Sequence, residues 1–188
     1  MNSGVKKFEL KTERLFLRLL QKEDVPEIFR IARKNPEITK FMSWDPPKKI
    51  EETQAFFDEG KKEFKKGKLV RWGIFLEKEF CGIVGLEGVT RQQRAWKFDK
   101  AELGYWLALK FQGQGFMTEA TRVVLQFGFE KLALHKIMAG AVSENITSQR
   151  VIEKLGFRFI GVRKEHFFRH GKWWDHKVYE LLAKDFIT

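Results

Sequence analysis

At 188 residues, with 36 Lys and Arg against 25 Asp and Glu, the chain carries a net charge of +11 and is long enough for one domain, 1–188, with a real core. No apolar run approaches the roughly 18 residues of a membrane helix, and a single cysteine, Cys81, rules out an internal disulfide. The opening Met1–Lys7 has no apolar signal core, so a reducing cytoplasm is expected, with no membrane association and no metal, because no Cys/His ligand spacing exists. The basic balance suits an anionic partner, RNA or the ribosome included, without identifying one.

In chain order, Glu13–Leu20 reads as a strand with Arg14 and Arg18 on one face. Asp24 before Val25 and Pro26 signals an N-cap, and Val25, Ile28, Phe29 and Ala32 predict a short helix ending at Asn35-Pro36. The loop Phe41–Pro47 is rich in large apolar residues, so it either folds back on the core or walls a substrate cleft. A second helix is expected over Lys49–Lys66, with Ile50, Phe57 and Phe64 along one side. Its closing lysines, Lys61 to Lys68, meet the negative end of the helix dipole. Val70–Glu77 and Phe80–Val89 form a hairpin, Arg91–Lys97 an exposed connection, and Lys100–Leu109 the next strand.

The stretch Lys110 to Ala120 joins that strand to a helix whose apolar face is Ala120, Val123, Val124 and Phe127. Gly113 and Gly115 permit positive φ and leave main-chain N–H groups uncovered, and the first N–H groups of a helix have no partner within it. With the helix dipole, these features make an anion site. No Lys-Ser/Thr ending follows the glycines, which excludes a P-loop, and Thr118 replaces the third glycine of a dinucleotide fingerprint. Lys136–Val142 is a further strand. Ser143 or Asn145 caps the next helix, on which Ser148, Val151, Ile152 and Leu155 share a face before Gly156 ends it. Phe157–Phe168, a turn at Arg169–Lys172, and Trp173–Leu182 make a final hairpin.

Gln112-Gly113-Gln114-Gly115-Phe116-Met117 resembles motif A of the GNAT N-acetyltransferase superfamily, with Met117 in place of the usual small residue. Asn145-x-x-Ser148, followed by Glu153-Lys154-Leu155-Gly156-Phe157, resembles its second block. The opening Thr12-Glu13-Arg14-Leu15-x-Leu17-Arg18 is similar to the branch of ribosomal-protein N-terminal acetyltransferases. The resemblance implies a mixed α/β (α+β) fold: a mostly antiparallel, twisted sheet of about seven strands, its central pair splayed, with about four helices.

It also implies an enzyme that moves acetyl from acetyl-CoA directly to a primary amine in a ternary complex. Gln112, Gly113, Gln114, Gly115, Phe116, Met117 and Thr118 would hold the pyrophosphate. Leu107, Ala108 and Leu109 would lie along the thioester arm, Asn145 would touch the pantetheine, and Ser148 would assist the departing thiolate. Glu102 is the preferred base, with Glu165 the alternative. The acceptor is a protein N-terminus, such as that of a ribosomal protein, or a polyamine or aminoglycoside. A CoA- or RNA-binding module without turnover is the competing class, and a monomer and a homodimer are both open.

Overall fold

A computed structural model describes residues 8–187. The elements run β1 (Leu10–Lys11), β2 (Leu15–Leu19), α1 (Val25–Lys34), α2 (Ile50–Lys65), β3 (Val70–Leu76), β4 (Glu79–Gln93), β5 (Trp96–Leu107), α3 (Phe116–Glu130), β6 (Lys136–Val142), α4 (Ile146–Lys154), β7 (Arg158–Arg169) and β8 (Lys172–Leu182). The strands form one eight-stranded sheet in the order β1-β2-β3-β4-β5-β6-β8-β7. Every pairing is antiparallel except β5 with β6. The strand beyond the expected seven is β1, a two-residue edge piece paired to Phe16 and Leu17. Met1–Lys7, read above as lacking a signal core, lies outside the described residues, and no described helix is long and apolar enough to cross a membrane.

Alternation along the strands assigns the two faces of the sheet. Arg71 stacks on Phe56 of α2, with its guanidinium carbon 4.3 Å from the ring centroid, whereas the next residue, Trp72, meets Phe127 of α3 at 5.3 Å. The helix pair α1–α2 therefore covers one face and α3 the other. On α3 the expected stripe is buried at Ala120, Val124 and Phe127, and Val123 packs at its margin. Gly128 lets this helix ride close to the sheet, since a Cβ there would come within 2.9 Å of Leu86 and 3.0 Å of Ile137.

Three expectations are corrected. Arg91–Lys97 is not a connection but the outer part of a long β4–β5 hairpin, with Gln92 opposite Lys97 and Gln93 opposite Trp96. These arms project past the core, both faces are wet, and no apolar alternation marks them as strand. On α2 the inward face runs through Thr53, Phe56 and Phe64, while Ile50 is 39% exposed. Asp24 precedes α1 as expected but does not cap it. Its carboxylate instead accepts both Arg18 Nη atoms, at 2.8 and 2.7 Å, and the Gln21 N–H at 2.7 Å, fastening β2 to the entry of α1.

Candidate active site

The parallel register of β5 and β6 runs from Lys100–Lys136 to Leu103–Ala139 and stops there, although β5 continues to Leu107 and β6 to Val142. Each strand keeps its outer partner to the end, β5 with β4 at Leu107–Gly82 and β6 with β8 at Val142–His176. Gly104–Leu107 and Gly140–Val142 therefore diverge as a wedge whose inner edges lack strand partners. A cleft of about 890 Å³ fills the wedge and continues over the start of α3. That volume suits a large, partly apolar ligand.

At the mouth of the wedge, β5 gives way to a turn at Leu109–Phe111 and then to the glycine loop. Gly113 and Gly115 take φ of 76° and 81°, and Gly115 is the N-cap of α3. Glu119 is the first residue of the helix whose N–H reaches back, to the Gly115 carbonyl at 3.0 Å. Among the described residues, the N–H groups of Gly113 through Thr118 have no protein acceptor. Such a run of free donors at a helix N-terminus fits a diphosphate.

The loop's own side chains leave this nest open. Gln112 Nε2 donates to the Leu107 carbonyl at 2.9 Å, and Gln114 Nε2 to the Lys110 carbonyl at 2.7 Å. Met117 is buried and its sulfur accepts from the Thr121 hydroxyl at 3.4 Å, so the larger side chain packs into the core. Arg14 adds positive charge at the rim. It donates to the Gln114 carbonyl at 3.2 Å and lies over Phe116, held by Glu119 through Nε at 2.7 Å. Burial works to raise the Glu119 pKa, but hydrogen bonds from Thr12 and Arg14 outweigh it and hold the carboxyl below its ordinary value.

Across the wedge, Asn145 Oδ1 accepts the Ser148 N–H at 3.1 Å, so Asn145, not Ser143, supplies the cap of α4. Ser148 Oγ lies 2.9 Å from Tyr105 Oη, which is also 3.2 Å from the Ser148 carbonyl, so the single phenol proton serves one of these two oxygens. Burial pushes the Tyr105 phenol up to about 12, so it stays protonated and available as a donor. Both residues line the cleft.

Tyr105 and Trp106 point to opposite faces. Tyr105 meets α4, while Trp106 meets Trp44 of the apolar loop, 6.2 Å between ring centroids. This loop does both things its composition allowed: Met42 and Trp44 pack on the core, and Phe41, Met42 and Ser43 line the cleft. Arg169 pins it, donating through Nη2 to the Trp44 carbonyl at 3.0 Å and to Asp45 Oδ1 at 2.8 Å. Nothing in the sequence marks Arg169 for this task except its place beside the final turn, where His170 and Gly171 both have positive φ.

The cleft thus brings together Leu107, Leu109, Gln112, Gly113, Gly115, Phe116, Met117, Thr118, Asn145 and Ser148. Ala108 and Gln114 do not line it, and the Ala108 N–H is already given to the Cys81 carbonyl at 2.8 Å. Glu102 is exposed on the α1–α2 face opposite Glu87 and does not line the cleft. Glu165 is also outside it, exposed at a bulge with φ 46°. Between Arg163–His176 and Phe167–Trp174 the register of β7 against β8 shifts, and Phe167 faces the cleft. Sequence reasoning missed Arg169 and His176, and it read Tyr105, out of phase with Glu102 on β5, as a core residue, whereas its hydroxyl lines the cleft beside Ser148.

A family profile described as "Acetyltransferase (GNAT) domain" matches residues 14–158. The "Probable N-acetyltransferase YjcK" of Bacillus subtilis (strain 168) is 30% identical, covering 94% of this chain and 98% of its own. The "[Ribosomal protein uS5]-alanine N-acetyltransferase" of Escherichia coli (strain K12) is 29% identical over 97% of this chain and 95% of its own. A spermidine N-acetyltransferase from Vibrio cholerae, solved with CoA and spermine, superposes with a TM-score of 0.80 at 25% identity, covering 93% of this chain and 98% of that one.

Proposed function

We propose, on the premise that this chain belongs to the GNAT acetyltransferase family and is an acetyl-CoA-dependent N-acetyltransferase, that its acceptor is the α-amine of a protein N-terminus. The observation that carries this reading is the charge of the acceptor side. Among the described residues lining the cleft, Glu37 is the one carboxylate, with Arg169 as the cation on the same side, and the neighbouring wall is apolar: Ile38, Phe41, Met42, Trp106 and Phe167. A polycation needs several carboxylates to replace its hydration, and a chain of net charge +11 repels it at long range. A peptide brings a single ammonium followed by uncharged backbone, which one carboxylate and an apolar wall accommodate. The ribosomal acceptor in the name of the E. coli relative points the same way. A basic surface suits an acceptor assembled with RNA, which would place the work in the cytoplasm.

Bound acetyl-CoA supplies an acetyl group activated as a thioester. The N–H groups of Gly113 to Thr118 and the dipole of α3 hold the diphosphate, with Arg14 at the rim. The unpaired inner edges of β5 and β6 offer main-chain partners to the pantetheine amides, next to Asn145. Ser148, backed by Tyr105, presents a hydroxyl toward the departing sulfur and stabilises negative charge there by hydrogen bonding. Because the wedge fixes the thioester arm on one side and admits the amine from the other, most of the rate advantage comes from positioning.

The test is a panel of acceptors at constant acetyl-CoA: peptides with free and with blocked α-amines, spermidine, and an aminoglycoside. Thiol release and the mass of each product are read. Acetylation of free peptide N-termini alone is expected. Turnover of spermidine or the aminoglycoside with none on any peptide overturns the acceptor assignment.

A further inference from the structure

We infer that His176 accepts the proton that the acceptor's ammonium group must lose before it attacks. This inference rests on the acetyl-transfer reading and concerns the face of the wedge opposite Ser148. An N-terminal amine enters largely as –NH3+, with an ordinary pKa of roughly 7.7 to 8.0. A base is therefore needed within the cleft. Neither carboxylate suggested by the sequence lines it, and Glu37, which does, is exposed at the rim on the Pro36–Thr39 turn.

His176 lines the cleft from β8, and the Cε1–Nε2 edge of its ring packs against Gly140 of β6 at the edge of the wedge. A Cβ on Gly140 would come within 2.3 Å of the ring's Cε1 and 2.5 Å of Nε2, so glycine is required for the imidazole to sit there. On β6, Ile137 turns toward α3, and Gly140, three residues on, turns to the other face. His176 thus stands on the side of the sheet that carries Trp106 and the loop around Phe41, from which the amine approaches. Ser148 and Tyr105 stand on the opposite side with α4. Base and thiolate-stabilising pair flank the wedge from its two faces.

Its bonding leaves the imidazole available. Nδ1 is buried with no partner, and no hydrogen bond to Nε2 is formed among the described residues. Most other polar groups of the cleft are committed, Tyr105 to Ser148 and Arg169 to the loop. The ring is fixed by packing alone, stacked on His166 at 5.4 Å and 18°, with Phe167 edge-on at 5.8 Å. Burial depresses its pKa below 6.5, and the charges of His166 and Arg163 on β7 push in the same direction. From β6 no charged group faces it; the neighbours there are Gly140 and Val142. His176 is therefore neutral at pH 7 and able to take a proton.

The balance is simple. The imidazole removes one proton from –NH3+, and the free amine forms the N–C bond to the acetyl carbonyl as the C–S bond breaks. The second amine proton goes to the thiolate on the Ser148 side. The products are the amide, CoA thiol and one proton, which His176 returns to solvent.

The test compares His176→Asn and His176→Gln with the parent protein. Log kcat/KM is followed from pH 5 to 9 on a reactive N-terminal peptide, with coenzyme A titrations to establish that the fold and cosubstrate site are intact. Both variants should lose at least about a hundredfold at pH 7, the lower end of the ~10² to 10⁴ range of general base catalysis, and lose the limb that titrates below 6.5. Coenzyme A affinity should stay within about threefold, and an aromatic amine acceptor, already neutral at pH 7, should show no more than a small difference from the parent. The inference is overturned if the variants keep the acidic limb, if the aromatic amine suffers the same loss, or if Glu37→Gln removes the limb instead. A parent protein that binds coenzyme A yet acetylates no amine would overturn the acetyl-transfer reading itself, and this inference with it.

Discussion

Replacing Ser148 with Ala removes the hydroxyl proposed to face the departing sulfur while leaving its N–H on Asn145 Oδ1, so the cap of α4 is kept. A hydrogen bond to a charged partner contributes about 1.5 to 3 kcal/mol, which at ~1.36 kcal/mol per decade is a loss of roughly 13- to 160-fold in kcat. Tyr105→Phe acts one bond further away. It removes the neutral 2.9 Å contact to Ser148 Oγ, and a neutral bond of about 0.5 to 1.5 kcal/mol predicts a loss of roughly 2- to 13-fold. If the two hydroxyls work as one unit, Tyr105→Phe should be nearly silent in the Ser148→Ala background. The assay is thiol release under saturation with both substrates, with thermal melts to separate folding from rate. A Ser148→Ala variant within twofold of the parent, or single effects that multiply in full, would refute the pairing.

Arg169→Ala frees the Phe41–Pro47 loop by removing its bonds to the Trp44 carbonyl and Asp45. The acceptor KM should rise about tenfold, the scale of one charge-assisted bond, with coenzyme A affinity unchanged, and an unaltered KM would count against the loop as an acceptor wall. Glu119 gives a pH signature. Its folded pKa lies below the ordinary glutamate value of 4.5, so its stabilising effect is complete above that value and fades as pH falls through the lower, folded value. The stability lost on acidification from about pH 5 to 3 should therefore be smaller in Glu119→Gln, and melting differences that do not vary with pH would contradict the Thr12–Arg14 anchorage.

The glycine loop and helix starts that line the cleft were legible in the chain because local chemistry specifies them. Two glycines at positive φ and an apolar helical stripe from Ala120 to Phe127 need no long-range information. Asn145 could be read as a cap for the same reason. What stayed hidden depends on neighbours distant in sequence. The β4–β5 arms carry no apolar alternation because no layer covers them. Glu102 was placed on the right strand, but the face it occupies belongs to α1–α2 and its partner is Glu87 across the ladder. Glu165 was displaced by a bulge, which shifts the cleft-facing position to Phe167. Arg169 was read as a turn residue because its acceptors lie in a loop more than a hundred residues earlier.

Grip on the diphosphate by free main-chain donors is tested most directly by calorimetric titration of the protein with coenzyme A and, in parallel, with pantetheine, which lacks the nucleotide and diphosphate. The account predicts saturable binding of coenzyme A and an affinity for pantetheine at least a hundredfold weaker, about 2.7 kcal/mol. Equal affinity for the two, or no binding of coenzyme A, would contradict it.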